Sequence, residues 1–211
     1  MAPSRDTHGI LWLKSATSTN YELRQIKEKL DNLSIVAAVE QTHGRGQGDH
    51  TWFSSPATNL TFSLLMRFPS DSPYSLKAAE MLLITQLTTL AIRDFLAGKS
   101  ISARVKWPND IWVKDRKICG ILIENILDGA MISESIVGIG LNVNELNWPS
   151  GLPNPVSMRE LTGQEYVLEE ELESLHKEIC RRYEQLGSVD GRKGLDSEFA
   201  EVMFRLREER Q

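Results

Sequence analysis

A glycine-rich loop with one arginine is the first stretch of this sequence that could do chemistry. Residues 40–52 read EQTHGRGQGDHTW, so that Arg45 stands between Gly44 and Gly46, and Trp52 ends the stretch. A guanidinium group binds a carboxylate or a phosphate through two parallel hydrogen bonds, and bare main-chain N–H groups can approach the same anion. The loop therefore indicates an anion-binding site. A plain glycine-rich connection between two strands and a core tryptophan are the alternatives for this stretch alone.

A second polar motif, KWPNDIW, occupies residues 106–112. Lys106 stands at the end of an apolar strand, where a solvated lysine is not the expected residue, and Asn109 and Asp110 follow a proline turn. Taken alone, the Asn-Asp pair is an ordinary turn. Taken together, Lys106 and Asp110 suggest a cation for a phosphate and a carboxylate for Mg²⁺.

Two further segments bring small polar groups to the ends of elements. STN at 18–20 opens a helix, and Thr19 with Glu22 three residues later has the spacing of a capping box. A helix N-terminus also attracts anions, so a cap and a ligand contact can coexist. GIGLNVN at 138–144 brings Asn142 to a strand end, where a tight bend is the alternative reading. The chain shows no serine–histidine–acid set, and the spacing of its four histidines does not suggest a metal site. This inventory suits the binding and joining of anions rather than hydrolysis.

The elements that must position these residues follow from hydrophobic periodicity. The pattern predicts strands at 10–13, 34–40, 59–68, 103–107 and 131–144, and two more within 110–125. It predicts helices from STN onward, over 75–97, and twice after a Pro- and Gly-rich linker that ends near residue 155. This order lacks regular βαβ alternation. It favours an α+β fold with a mixed, mainly antiparallel central sheet flanked by helices. We expect one domain over 1–211, with a core at 1–148 and C-terminal helices at 156–211.

Composition narrows the classes of partner. The chain has 211 residues, 41% of them hydrophobic, and a net charge of −5. The excess of acidic over basic residues lies entirely after residue 163. No basic stripe indicates nucleic acid, and no signal-peptide pattern or apolar run long enough to span a membrane is evident. Cys119 and Cys180 each lie in an apolar pattern, which indicates buried thiols in a reducing compartment. The expectation is a cytoplasmic protein that binds neither nucleic acid nor membrane. GRGQG is neither a dinucleotide fingerprint nor a P-loop.

In combination the motifs resemble a known family. STN, EQTHGRGQG followed by Trp52, KWPNDI, RKICGILIEN and GIGLNVN, in this order and spacing, closely resemble the catalytic domain of biotin protein ligases over roughly residues 8–146. Lipoate ligases and octanoyl transferases share the fold but do not usually carry both the G-R-G loop and K-W-P-N-D. The resemblance implies the biotin–lipoate ligase catalytic fold, which is like that of class II aminoacyl-tRNA synthetases.

The resemblance also implies a two-step reaction. Biotin attacks the α-phosphate of ATP with Mg²⁺ present, giving biotinyl-5′-AMP. A lysine of a biotin carboxyl carrier domain of acetyl-CoA carboxylase then takes the acyl group. ATP, Mg²⁺ and biotin are the expected substrates and metal, without a tightly bound prosthetic group. A homodimer is compatible with the family. The glycine loop is expected to close over an adenylate that water would otherwise hydrolyse.

By this resemblance each site residue has an expected role. Biotin is held by Ser18, Thr19, Asn20, Gln41, Gly44, Arg45, Gly46, Gln47, Trp52 and Lys106. The nucleotide is held by Arg45, Trp52, Lys106, Asn109, Asp110 and Asn142. Lys106, with Arg45, is expected to be catalytic because each cation neutralises the charge that builds at the α-phosphate. Asp110 is the expected ligand of Mg²⁺.

The sequence departs from the family pattern in three places. Gln47 stands where many members have an arginine, which predicts looser retention of the adenylate. Few residues precede STN, so no N-terminal DNA-binding domain and no operator binding are expected. The chain ends in FRLREERQ, a charged helix by its pattern, so the C-terminal β-barrel of the family is expected to be absent. Two other functions stay open: a lipoate or octanoate ligase, and a biotin- or adenylate-binding protein without transfer activity.

Overall fold

One mixed β-sheet forms the centre of the computed structural model, which describes residues 9–46, 48 and 51–203. The strands are β1 (Ile10–Leu13), β2 (Ile35–Ala38), β3 (Leu60–Arg67), β4 (Leu76–Lys77), β5 (Arg104–Lys106), β6 (Asp110–Val113), β7 (Arg116–Asp128) and β8 (Met131–Leu141). The helices are α1 (Thr19–Ile26), α2 (Leu82–Gly98), α3 (Met158–Thr162), α4 (Leu168–Glu184) and α5 (Val189–Val202). Short 3₁₀ turns cover Lys27–Lys29, Ala78–Glu80 and Gln185–Gly187. The predicted α+β fold with a mainly antiparallel sheet is confirmed.

The long hairpin of β7 and β8 organises the sheet. The strand order is β1-β2-β3-β8-β7-β6-β5, with β4 paired to β8. Only the β1–β2 pair is parallel among the described strands, and every other pair is antiparallel. As a result β3, β8 and β7 lie side by side in the middle of the sheet, although β3 is far from the other two in sequence.

One face of the sheet is covered by α2, α4 and α5. Side chains alternate along a strand, so every second residue of β3 points to this face. Leu64 is one of these residues, and it is fully buried in the main apolar cluster together with Val137 of β8 and Leu87 of α2. The strand predicted at 59–68 therefore places alternate apolar residues, Leu60, Phe62, Leu64 and Met66, against the helices.

The opposite face is only partly covered. Helix α1 packs there through a small apolar cluster that includes Leu23, Leu30, Leu65 and Ile136. Beside the first turn of α1, most residues of β3, β7 and β8 on this face are small or polar, with Leu122 as the apolar exception. The sheet therefore carries an open concave region beside the N-terminus of α1.

Two expectations need correction. The segment expected as one helix over 75–97 begins with β4, which pairs with β8, and with a 3₁₀ turn, so α2 itself begins at Leu82. The main-chain N–H of Lys77 is bound by the Glu80 carboxylate, which favours this break. Contrary to the expectation that no apolar run is long enough, the stretch Ala78–Gly98 has the length and apolar composition of a membrane span. Its most apolar window of 18 residues is, however, 61% buried inside the fold, as in a core helix.

Candidate functional site

A cavity of about 260 Å³ lies on the partly covered face of the sheet. Its lining comes from the first turn of α1, the glycine loop, the β5–β6 turn and the central strands. The lining residues are Ser18, Thr19, Asn20, Gln41, Arg45, Gly46, Thr51, Trp52, Thr61, Phe62, Pro108, Asn109, Asp110, Lys117, Gly120, Ile121, Leu122, Gly138, Ile139 and Gly140. Segments that are distant in sequence thus meet at one place, as the motifs predicted.

Glycines form the floor of the cavity. Gly120 of β7 pairs directly with Gly140 of β8, and the indole of Trp52 lies on both of them. A Cβ atom at Gly140 would come within 2.2 Å of the Trp52 ring, and one at Gly120 within 2.7 Å. Any side chain at either position would displace the indole. The missing side chains are therefore what allows a flat aromatic ring to lie on the sheet.

A hydrogen-bonding cluster closes the cavity at α1. The Thr19 main-chain N–H donates to Oε1 of Gln41 at 2.9 Å, which leaves the Gln41 NH₂ group as the donor end of that amide. Ser63 Oγ lies 2.7 Å from Thr19 Oγ1 and 2.5 Å from Asn20 Oδ1. The expected capping box of Thr19 and Glu22 is wrong, because Ser18 is the N-cap residue and its side chain makes no cap hydrogen bond. The side chains of this turn serve the cavity rather than the helix end.

The glycine loop begins as a narrow hairpin. Trp52 N–H donates to the Gly44 carbonyl at 2.9 Å, and Arg45 and Thr51 form an antiparallel bridge. A Cβ at Gly44 would lie 2.3 Å from the Trp52 carbonyl oxygen, so this close approach requires glycine. Arg45 is exposed, and its guanidinium lies 3.7 Å from the Glu124 carboxylate. Gln47 lies outside the described residues.

Lys117 is a cavity residue that the sequence reading missed. Its Nζ lies 2.7 Å from Oδ1 of Asp110 and 5.5 Å from the centre of a Trp52 ring. Strict alternation from Gly120 would point Lys117 to the helix-covered face. The register between β6 and β7 shifts here, however, and Ile118 has no partner in it. Ile118 and Cys119 are consecutive and both fully buried. Such a bulge re-aims the next side chain, and Lys117 consequently reaches the cavity.

Asn142 binds the main chain of Lys117 rather than the cavity. The Nδ2 group of Asn142 donates to the main-chain carbonyls of Lys117 at 3.3 Å and of Val156 at 3.0 Å. The Lys117 main chain is also bound by Asn154 O at 2.7 Å and by Val156 N at 3.0 Å. Asn142 is buried and does not line the cavity. The structure therefore places this predicted nucleotide ligand in a clamp on the backbone of Lys117.

Lys106, the residue expected to be central, is not among the lining residues of the cavity. It pairs with Asp110 across β5 and β6, which puts it on the same face but one strand farther out. Its Nζ lies 3.8 Å from the centre of the Trp112 ring, a cation–π contact. The two motif residues after the proline, Asn109 and Asp110, do line the cavity.

Metal binding has limited support from the protein side chains. Asp110 is the single carboxylate among the described lining residues, and it already pairs with Lys117. In the described part of the chain, no three His, Cys, Asp or Glu side chains cluster in a way that could hold a metal ion. Mg²⁺ commonly uses one or two carboxylates plus substrate phosphates. Asp110 fits that mode of binding and not a site built from protein ligands alone.

Two other titratable groups, Glu145 and Cys119, do not line the cavity but belong to or bind segments next to its lining. Glu145 accepts hydrogen bonds from Ser55 N at 3.2 Å, Thr58 Oγ1 at 3.0 Å and Asn147 N at 3.1 Å. Burial alone would raise the pKa of Glu145, but these hydrogen bonds outweigh it and hold the pKa below its ordinary value. The carboxylate thereby anchors the segment that follows Trp52. Burial raises the pKa of the Cys119 thiol far above its ordinary value, so this cysteine is not a nucleophile.

Comparisons with known sequences point in one direction. Residues 12–142 match the biotin/lipoate A/B protein ligase family. Over 184 residues the chain is 30% identical to the biotin–[acetyl-CoA-carboxylase] ligase of Paracoccus denitrificans, and this alignment covers 82% of the chain and 72% of that protein. Over 127 residues it is 32% identical to the bifunctional ligase/repressor BirA of Escherichia coli, covering 60% of the chain and 38% of that protein. The chain thus matches well under half of the bifunctional relative.

Solved structures show the same fold. A biotin protein ligase from Aquifex aeolicus in complex with biotin and ATP superposes with a TM-score of 0.77 at 25% identity, covering 94% of this chain and 79% of that one. A biotin protein ligase from Leishmania major in complex with biotinyl-5-AMP gives a TM-score of 0.75 at 23% identity, covering 93% and 82%. The second likeness bears on the fold alone.

Proposed function

The chain belongs to the biotin/lipoate A/B protein ligase family, and we propose that it is an ATP-dependent biotin protein ligase. One observation carries this proposal. A single cavity joins a hydrogen-bonding side, with Thr19, Asn20 and Gln41, to a cationic side, with Arg45 and Lys117. Trp52 lies between them on its glycine floor. A ligand with a polar ring at one end and a carboxylate at the other fits this order of groups.

The hydrogen-bonding side favours biotin over lipoate or octanoate. The ureido ring of biotin offers a carbonyl and two N–H groups, whereas a dithiolane ring or an alkyl tail offers no strong hydrogen-bonding group. The second N–H of Asn20 and the NH₂ group of Gln41 would have no partner against an apolar ligand, and each such loss costs about 1–3 kcal/mol. A site of this kind therefore discriminates against the apolar acids.

In the first step, the biotin carboxylate oxygen attacks the α-phosphorus of ATP. The new C(=O)O–P bond forms as the bond to the bridging oxygen breaks, and pyrophosphate leaves with the electron pair. Lys117 and Arg45 neutralise the two anions that must meet, and each such preorganised charge contributes on the order of 3 kcal/mol. Lys117 takes the role that the sequence reading gave to Lys106. Mg²⁺ bound to the phosphates, with Asp110 beside it, would supply further charge neutralisation.

In the second step, a lysine amine attacks the acyl carbon of biotinyl-5′-AMP. The amide bond forms, AMP leaves with the electron pair of the C–O bond, and the amine loses a proton to water. The acceptor is a biotin carboxyl carrier domain, as the name of the Paracoccus relative suggests for that protein. The Trp52–Gly44 hydrogen bond holds the base of the glycine loop, and we expect this loop to limit access of water to the adenylate before the acceptor arrives.

ATP–pyrophosphate exchange tests the proposal because it reports the first step and needs no acceptor. We expect Mg²⁺-dependent exchange with biotin and none with lipoate or octanoate. Exchange with lipoate alone would reassign the substrate, and no exchange with any acid would overturn the ligase proposal. A second assay with a carrier domain then measures transfer directly, which separates a ligase from a protein that only binds the adenylate.

A further inference from the structure

Glu124 is a carboxylate beside the cavity to which neither the motifs nor the proposed chemistry gives a role. It lies on β7, two residues beyond Leu122 on the same face, and its side chain is 22% exposed. One of its oxygens accepts a hydrogen bond from Nδ2 of Asn20 at 2.9 Å and lies 3.3 Å from Arg24. The other lies 3.7 Å from Arg45. Glu124 therefore joins the central strand to both segments that frame the cavity.

The contacts of Glu124 give a direction to the hydrogen bonds around Asn20. An ionised carboxylate only accepts, so Nδ2 of Asn20 must face Glu124 and Oδ1 must face Ser63. The single hydroxyl proton of Ser63 then goes to Oδ1, at 2.5 Å. The Ser63 oxygen remains free to accept from the Thr19 hydroxyl, 2.7 Å away. The chain of donors thus runs from Thr19 through Ser63 and Asn20, and it ends at Glu124.

Packing alone cannot select this orientation of Asn20. The side-chain amide lies against Gly138, where a Cβ atom would come within 2.3 Å of Oδ1 and 3.2 Å of Nδ2. A half-turn of the amide exchanges two groups of nearly equal size, so the van der Waals contact with Gly138 is almost unchanged. Only the polar partners, Ser63 and Glu124, distinguish the two orientations.

We propose that Glu124 is a positioning residue for recognition of the ureido end of biotin, acting through Asn20; this inference rests on the proposed function. It holds one N–H of Asn20 and leaves the other N–H of that amide as a donor of fixed direction. Without the carboxylate, Asn20 can present its carbonyl where the ligand needs an N–H. Arg24 and Arg45 are 46% and 59% exposed, and ion pairs of that kind contribute little. The hydrogen bond from Asn20 Nδ2, at 2.9 Å, is therefore the shortest of the contacts that Glu124 makes with these three residues.

Steady-state exchange kinetics with Glu124→Leu and Glu124→Gln test this role. Leucine removes the acceptor, and we expect the KM for biotin to rise about tenfold, with the KM for ATP and kcat within about threefold of the unaltered protein. Glutamine keeps an acceptor oxygen, so the KM for biotin should stay within about threefold. Glu134→Gln is the matched control. Glu134 also pairs with two cations, Lys27 and Arg67, but touches no lining residue of the cavity.

A double-mutant cycle separates the proposed route from a general structural effect. In an Asn20→Ala background, Glu124→Leu should produce no further rise in the KM for biotin. Two results would overturn the inference, provided that the unaltered enzyme catalyses exchange. One is an equal rise in the KM for biotin in both backgrounds. The other is a KM for biotin that Glu124→Leu alone leaves unchanged. If Glu124→Gln and Glu124→Leu raise the KM for ATP as strongly as that for biotin, the charge and not Asn20 is responsible. Absence of biotin-dependent exchange in the unaltered protein would instead overturn the proposed function.

Discussion

Two adjacent cross-strand pairs of β3 and β8 point to opposite faces of the sheet and differ in what they contribute. Leu64 and Val137 face each other on the helix-covered side, and both are fully buried in the main apolar cluster. One residue earlier on β3, Ser63 pairs with Gly138 on the cavity side, where Asn20 lies against the glycine. The same two strands thus provide packing volume on one face and space with hydrogen bonds on the other.

This difference follows from the two-residue period of a strand. On the covered face each large side chain removes apolar area from water, at roughly 25 cal/mol per Å². On the cavity face, large side chains would occupy the space that the ligand needs. The stabilisation from buried apolar area is therefore missing around the cavity. We therefore expect substitutions on the two faces to separate: those on the covered face should reduce stability, and those on the cavity face should reduce binding and catalysis.

Lys117 gives the largest expected effect and the sharpest test, because a bulge moves it from the covered side to the cavity side. For Lys117→Met we expect kcat/KM for biotin in the exchange assay to fall by about 10²–10³. For Lys106→Met, one strand farther out, we expect a fall of no more than about fivefold, since this half-buried charge lies on Trp112 and does not line the cavity. Equal losses in the two variants would show that both lysines act on the reacting groups.

Leu64 and Ser63 test the comparison directly. Leu64→Ala should lower the free energy of unfolding by about 3 kcal/mol, because it leaves a cavity in the packed layer. Ser63→Ala should cost about 1 kcal/mol in stability but raise the KM for biotin, since it removes the partner of Asn20 and Thr19. Urea unfolding and exchange kinetics on both variants provide the measurement. A Leu64→Ala protein of unchanged stability would contradict the assignment of the two faces.

Regular periodicity made much of this arrangement predictable. The apolar pattern of 59–68 identified β3. The residues of STN also meet two of the three G-R-G residues, Arg45 and Gly46, at one cavity. The features that the sequence did not predict depend on irregular backbone or on contacts between residues distant in sequence. Lys117 reaches the cavity through a bulge, for which the adjacent apolar residues Ile118 and Cys119 are the sequence signal in hindsight. Ser63 looked like the polar half of an ordinary amphipathic strand, because nothing local reveals that α1 lies above it.

Asn142 and Glu124 are two further residues whose roles depend on contacts that the local sequence does not reveal. A strand-end asparagine near small residues suggests a ligand contact, but the linker at 154–156 folds back and uses Asn142 to bind main chain. A contact between residues so far apart in sequence has no local pattern. The acid of RKICGILIEN likewise gave no sign that it would accept from Asn20, 104 positions away.

Gly140→Ala should have an intermediate effect confined to the cavity face. The new Cβ would lie within 2.2 Å of the Trp52 ring, so the indole must move. A displacement of that size at a binding surface can reduce activity up to about a hundredfold, and we expect roughly a tenfold fall in kcat/KM with little change in stability. Gly194→Ala in α5 is the control, because no atom lies within 4 Å of its Cβ position and alanine favours the helix. A loss of activity in the control would remove the link to Trp52.

Asp94 gives the smallest expected effect and belongs to the covered side alone. Its carboxylate pairs with Arg182 at 2.5 Å and with Arg93 and Arg181 at 2.8 Å, and so joins α2 to α4. Burial would raise the pKa of Asp94, but the hydrogen bonds from Arg93 and Arg182 outweigh it and lower the pKa.

A pKa lower in the folded than in the unfolded chain stabilises the protein above the unfolded value of about 4, and the benefit is lost as the pH falls through the folded value. Asp94→Asn should therefore cost about 1 kcal/mol at pH 7 and progressively less as the pH falls below 4, by urea unfolding. Exchange activity at pH 7 should stay within about twofold, since Asp94 does not line the cavity. A stability difference that is the same at pH 3 and pH 7 would mean that Asp94 acts through its shape and not its charge.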